Sequence, residues 1–297
     1  MAAMIGRRRA ADSGKLAALL LFLPPALLLY TLFVIMPVGE AAWYSGFNWN
    51  GFGSPKNWVG LDNYRFVFDN KAFGTAFRNN LLIIAVSLLV QLPLAMALAL
   101  VLADRFRGAV ALRMVFFLPY ILAEVATGLM FSFVYDGDYG LLALIYRQFG
   151  AQAPHLLASP QTSFAAILLV IVWKYFGFHM MLFIAALQGL DRNMVEAARI
   201  DGASRWQLLR FIILPSLYPT IRLSAFFAIV GSLQLFDLVM PLTRGGPADS
   251  SHTMVSFLYT FGITRMRVGF GSAVGVILFT ICVVFAFTYK RWVMRNE

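Results

Sequence analysis

Two stretches of this chain, Leu16–Gly39 and Leu81–Ala103, run for 24 and 23 residues without a charged side chain. At 1.5 Å of rise per helical residue the first reaches about 36 Å, enough to cross a hydrocarbon core of roughly 30 Å. Four more apolar runs follow, over Met114–Val134, Ser163–Leu190, about Leu217–Pro241, and Val268–Tyr289. In a bilayer every backbone N–H and C=O must be satisfied within the protein, and a helix does this inside one segment. The pattern predicts an all-α, polytopic membrane protein with six transmembrane helices in one domain, residues 1–297.

Composition excludes the main alternatives. The 297 residues are 60% hydrophobic and 13% charged, where a soluble domain carries about 25% charged residues. Mean hydropathy is +0.75. A net charge of +10 would suggest nucleic acid if the cations were gathered in one patch. They lie instead in short loops between apolar runs, which is a topology signal. Fourteen Lys and Arg side chains fall on the side that carries both termini, the loop near 104–113 and the loop 191–215; eight fall on the other. This bias predicts cytoplasmic termini and no nucleic-acid partner. The first run is too long for a signal-peptide core and no small-residue cleavage site follows it, so it is read as a retained span. Cys282 is the only cysteine, which rules out an internal disulfide. His155, His179 and His252 have no ligand spacing, and no metal site is expected.

A long polar stretch, Asp191–Pro219, separates the fourth and fifth runs. Met194–Arg199 is good helix-forming sequence, and Asp201-Gly202 is a stop signal. Ser204 is a candidate N-cap for a second helix reaching Ile213, and Pro215 marks the entry to the next span. The residues Glu196-Ala197-Ala198, then Asp201-Gly202-Ala203, then Leu214-Pro215 resemble the "EAA" loop of the membrane subunits of binding-protein-dependent ABC importers. Leu209 stands where relatives often carry Phe. Gly60-Leu61-Asp62-Asn63-Tyr64, the opening Phe33-Val34-Ile35-Met36-Pro37 and Phe236-Asp237-Leu238 followed by Leu242–Pro247 are similar to sugar-type permeases, with Arg244 in place of a usual Gly. The overall resemblance is to the maltose F-type and glycerol-phosphate A-type subunits.

That resemblance implies a type I ABC importer permease fold in a bacterial inner membrane, surrounded by lipid. It implies a second permease subunit, favouring a heterodimer, two cytoplasmic ATPase subunits and an extracytoplasmic sugar-binding protein. The ATP and Mg would sit on the ATPase subunits, and this chain would bind no cofactor. A G-x-x-x-x-G-K-[ST] loop is absent from the sequence, and no catalytic constellation assembles from it. In the family pattern the first short helix docks on the ATPase. Glu196 would anchor it, Ala197 and Ala198 would permit close approach, Asp201, Gly202 and Ala203 would turn the chain, and Leu214 and Pro215 would set the entry to the fifth span.

Glu124, Lys174 and Asp237 lie inside apolar runs. Charges at that depth are costly, so they face a partner or a cavity. Lys174 either forms a structural ion pair with Glu124 or Asp237, or it faces the path of the cargo. His179 is read as a hydrogen-bonded packing residue. Aromatic faces stack on sugar rings while a few polar groups fix orientation, and Trp173–Phe178 and Gly231–Asp237 offer both. Counted from the loop motifs, Tyr175, Phe178, Gly231 and Ser232 fall where maltose-type relatives place sugar-contacting side chains. The candidate substrate path is therefore Lys174, Tyr175, Phe178, Gly231, Ser232, Gln234 and Asp237. Ordinary helix packing accounts for the same residue types.

The expected function is passage of a sugar, most simply an oligosaccharide, across the inner membrane, driven by ATP hydrolysis elsewhere. A polyol or glycerol phosphate is the alternative cargo, since a lysine at depth could meet a phosphate. An ion-coupled carrier using Glu124, Lys174 and Asp237 is the rival mechanism. The lack of a clear internal repeat counts mildly against it.

Overall fold

The computed structural model describes residues 19–104 and 106–294. Arg7, Arg8, Arg9, Lys15, Arg105 and Arg295, which entered the charge count, lie outside them, as does the start of the 16–39 run. Among the described residues the chain is helical. In order the helices are α1 (Leu19–Tyr44), α2 (Asp62–Asp69), α3 (Lys71–Leu102), α4 (Ala109–Ile121), α5 (Glu124–Val134), α6 (Leu141–Gln148) and α7 (Pro160–Gln188). There follow α8 (Arg192–Ile200), α9 (Arg205–Ser216), α10 (Tyr218–Gln234), α11 (Val239–Thr243), α12 (Met254–Thr264) and α13 (Val268–Trp292).

Four of these, α1, α3, α7 and α13, are long and apolar enough to cross a membrane alone, and two bent pairs bring the number to as many as six. The third predicted run is one such pair. It starts early, at Ala109, and bends by 97° between α4 and α5. The hinge is Leu122-Ala123, both extended, with ψ of 138° and 137°. The fifth run meets α9 at 64° and leaves the helix after Gln234, short of the predicted Pro241. The second run begins ten residues before Leu81, because Asn70 caps Lys71–Leu102 by accepting a hydrogen bond from the Ala72 N–H at 2.9 Å. Between the fifth and sixth predicted runs lies a further apolar helix, α12.

Three wide π-helical turns have a common cause. They cover Thr31–Ile35, Ser87–Gln91 and Leu209–Ile213, and each ends two residues before a proline: Pro37, Pro93 and Pro215. A proline inside a helix has no N–H to give and its ring clashes with the carbonyl four residues back. That carbonyl belongs to Phe33, Leu89 and Phe211, the middle of each wide turn. Letting the residue before the proline bond five positions back, as Leu92 N–H does to Ser87 O, opens the turn and keeps the helix going.

α7 is the central element. More than half of its apolar window is buried, whereas none of α1's is. It packs on α3, α4 and α10. Gly177 allows the closest approach: a Cβ there would collide with the Phe116 carbonyl of α4. Its upper half joins Ile83, Leu238 and Val239 in one apolar cluster, and its lower half joins Leu92, Ala95 and Ala99 in another. A third cluster, around Phe73, Phe257, Phe261 and Phe270, ties α12 and α13 to α3.

Buried amides hold the break after α10. Asn80 Nδ2 donates to Ser232 O at 2.6 Å while its Oδ1 accepts from the Met254 N–H at 2.8 Å. The Thr253 hydroxyl donates to Leu235 O at 2.7 Å. Ser232 and Leu235 lie where a helix end leaves carbonyls without internal partners, so the interruption is satisfied by α3 and the start of α12.

Candidate functional site

The break between α4 and α5 creates two helix ends inside the bundle, and both are met from α7. The C-terminal carbonyls of α4 have no helical partners and carry the negative end of its dipole. Lys174, 1% exposed, turns onto them: Nζ donates to Leu122 O at 2.6 Å and to Pro119 O at 3.3 Å. Glu124 opens α5, where the positive helix end favours a carboxylate. Its Oε1 accepts from the Tyr175 hydroxyl at 2.7 Å. Neither reading of Lys174 is what the structure contains. Among the described residues it makes no ion pair with Glu124 or Asp237, and it does not line the cavity described next. The physical reason is that two freed carbonyls offer a buried cation a partner set that no sequence pattern displays. Arg113 works in the same way at the end of α3, with Nε donating to Leu102 O at 2.8 Å.

Beside this break lies a cavity of about 500 Å³. Its walls come from α3 (Ile83, Ser87, Gln91), α4 (Tyr120), Glu124, α7 (Ile171, Tyr175, Phe178, His179) and α10 with the segment after it (Phe227, Ala228, Gly231, Ser232, Gln234, Leu235, Asp237). Six of the seven residues predicted for the substrate path, Tyr175, Phe178, Gly231, Ser232, Gln234 and Asp237, are thus brought together, and Lys174 is set aside.

Aromatic rings order one wall. Tyr120 stacks on Phe178 at 4.8 Å between centroids and an interplanar angle of 24°, and it meets Tyr175 edge-on at 6.4 Å. Phe227 closes against Phe178 at 6.1 Å. One helical turn on from Phe227, Gly231 presents no side chain, and a Cβ there would meet nothing within 4 Å, so the space is real. His179 is tied by Nδ1 to the Ser224 hydroxyl at 2.6 Å, as a packing residue would be, although its ring also reaches the cavity. Ser232 Oγ donates back to Ala228 O at 2.7 Å. Sequence reasoning missed Ser87, Gln91 and Tyr120. A lone amide two residues before Pro93 in an apolar run was the available signal for Gln91.

The loop between α7 and α10 forms a second feature, away from the cavity. Asp191 caps α8, its Oδ1 accepting from the Asn193 N–H at 2.9 Å. At the other end the Ala203 N–H bonds Ala198 O at 3.0 Å and the Gly202 N–H bonds Arg199 O at 3.1 Å. Gly202 has φ +85°. This is the six-to-one and five-to-two pairing of a Schellman close, with glycine at the left-handed position. Ser204 then opens α9 with a capping box: its N–H bonds Gln207 Oε1 at 2.8 Å, and the Gln207 N–H bonds Ser204 Oγ at 3.3 Å. The predicted helix–turn–helix is present, and Pro215 follows the wide turn described above. Glu196 and Ala197 are exposed and Ala198 and Ala203 half-buried. Ile200 and Trp206, 85% and 63% exposed, leave the loop with apolar surface that the described residues do not cover.

Comparison with known proteins agrees with this architecture. The family described as "Binding-protein-dependent transport system inner membrane component" matches residues 91–295. A probable ABC transporter permease protein of Pyrococcus horikoshii is 32% identical, over 96% of this chain and 98% of its own length. The diacetylchitobiose uptake system permease protein of Streptomyces coelicolor is 31% identical, over 94% of this chain and 83% of its own. Among solved structures, a chain of a bacterial ABC transporter involved in the import of the acidic polysaccharide alginate superposes with a TM-score of 0.83, covering 98% of this chain and 99% of that one at 22% identity. That likeness shows the fold.

Proposed function

This chain belongs to the family of binding-protein-dependent transport system inner membrane components, and on that premise we propose that it is the permease subunit through which an ABC importer passes a sugar. The observation that carries the reading is the cavity. Aromatic faces on α4, α7 and α10 line the same space as hydrogen-bonding groups from α3 and from the segment after α10, the combination that sugar recognition needs. Curated relatives that match nearly end to end are permeases, the diacetylchitobiose uptake protein among them.

In this reading a second permease completes the pathway, an extracytoplasmic binding protein delivers the cargo, and two cytoplasmic ATPase subunits hold ATP and Mg. The α8–α9 loop is the ATPase-facing surface: Glu196 anchors by charge, Ala197 and Ala198 let a partner approach closely, and Ile200 and Trp206 supply apolar contact. The termini lie on the same, cytoplasmic, side. Closure of the ATPase pair pushes on α8. Because Gly202 and the capping box lock α8 to α9, the push is transmitted to α10, whose Gly231–Gln234 segment lines the cavity.

The test is purification of the tagged chain in mild detergent from its native membrane, with its companions identified by mass spectrometry, followed by uptake in reconstituted vesicles. Recovery with an ATPase and a second six-span chain, and sugar uptake that needs ATP, is the expected result. Recovery alone, with uptake that persists without ATP and collapses with an uncoupler, would overturn it in favour of an ion-coupled carrier.

A further inference from the structure

Resting on the importer reading above, we propose that this cavity selects cargo without a negative charge, a neutral polyhydroxylated molecule, and that Gln91 of α3 is a residue that binds it. Two carboxylates line the space, Glu124 and Asp237. Among the described residues no lysine or arginine lines it. The lysine at this depth, Lys174, is committed to the Pro119 and Leu122 carbonyls, and among the described residues neither carboxylate has a cation within salt-bridge distance. A phosphate or carboxylate on the cargo would meet like charge with no cation lining the space to offset it.

Gln91 points to the same class of ligand. It is 2% exposed, its Oε1 has no hydrogen-bond partner among the described residues, and it lines the cavity. A buried acceptor left without a donor is costly. Ser87, one helical turn before Gln91, lines the same wall. With the Tyr175 hydroxyl already donated to Glu124 and the Ser232 hydroxyl to Ala228, the two carboxylates and Gln91 Oε1 stand on this wall as acceptors. Such a wall needs donors from its ligand, and sugar hydroxyls supply them while a phosphate does not.

The experiment uses the complete importer, with its second permease, ATPases and binding protein, in proteoliposomes. The probes are N,N′-diacetylchitobiose and trehalose, both neutral, and glycerol 3-phosphate. ATP-dependent uptake of at least one neutral probe, with glycerol 3-phosphate slower by about tenfold or more, is expected from like-charge exclusion. Gln91→Leu should raise the half-saturating concentration of that neutral probe about fivefold, the worth of one neutral hydrogen bond, while the maximal ATP hydrolysis stimulated by binding protein is kept. Glu124→Gln combined with Asp237→Asn should narrow the discrimination against glycerol 3-phosphate, a gain that misfolding cannot imitate. Uptake of glycerol 3-phosphate equal to or faster than the neutral probes overturns the charge assignment, as does movement of neither neutral probe. An unchanged half-saturating concentration in Gln91→Leu overturns the role of Gln91. Loss of all ATP hydrolysis stimulated by binding protein in the wild-type complex would instead bring down the importer reading itself.

Discussion

Lys174 shows how a buried charge finds a place at the scale of one residue. In the apolar run Ser163–Leu190 it demands a partner, and the carboxylates at 124 and 237 are the obvious choices by sequence. The structure supplies carbonyls instead, because the bend after Ile121 leaves the end of α4 unbonded. Lys174→Met would strip a charge-assisted donor from two buried carbonyls, each such bond contributing about 1.5–3 kcal/mol. The detergent-solubilised chain should therefore unfold at a lower temperature, while the half-saturating concentration of a neutral probe in the assembled importer stays the same. A shifted half-saturating concentration with unaltered thermal stability would place Lys174 on the cargo. The need for a partner was legible in the sequence; the identity of the partner depended on a main-chain break 52 residues away.

At the scale of elements, the α8–α9 loop was the most legible part of the chain. Its signals are local: an aspartate N-cap, a glycine at a left-handed position and a Ser-x-x-Gln capping box, all within a few residues of what they bond. Nothing lies within 4 Å of a Cβ placed on Gly202, so a substitution there acts through the backbone alone. Gly202→Val at φ +85° costs about 1–2 kcal/mol, because β-branched residues clash in the left-handed region. Gly202→Asn tolerates it. ATP-driven uptake by the reconstituted importer should fall in the valine variant and be kept in the asparagine variant. Equal uptake in both would mean that the Schellman close does not matter to coupling. The broken spans were less legible. Glu124 stood out as a charge inside the third run, yet the 97° turn follows from extended backbone at Leu122-Ala123, which has no sequence signature of its own. The early end of α10 was hidden for a similar reason. Its loose carbonyls are satisfied by Asn80 and Thr253, from α3 and the start of α12.

For the molecule as a whole, the surface is as informative as the core. α1 and the outer faces of α3, α5 and α13 expose large apolar side chains such as Phe33, Leu89, Phe133 and Phe287, which in water would drive aggregation and in a bilayer meet lipid. The proposed orientation can be read with cysteines, starting from a Cys282→Ala chain that has no other thiol. Ser54, on the exposed stretch between α1 and α2, and Ser204, at the start of α9, are both accessible. In right-side-out vesicles a membrane-impermeant maleimide should label Ser54→Cys and leave Ser204→Cys unlabelled until the membrane is opened. The reverse pattern would invert the topology and remove α8 from reach of a cytoplasmic ATPase.

The sequence alone determined what depends on short range. Run length and freedom from charge specified spanning helices, the balance of Lys and Arg indicated a sidedness, and capping and glycine signals shaped the loop, because each of these is settled within a few helical turns. It also named six residues of the cavity wall. The tertiary structure decided what depends on contacts between distant segments. It bent the third span, ended α10 early, gave Lys174 carbonyls for partners and turned an isolated glutamine of α3 toward the cavity. Burial makes those choices, since a polar group withdrawn from water takes whatever partner the packed helices bring within hydrogen-bonding distance, and that partner can come from anywhere in the chain.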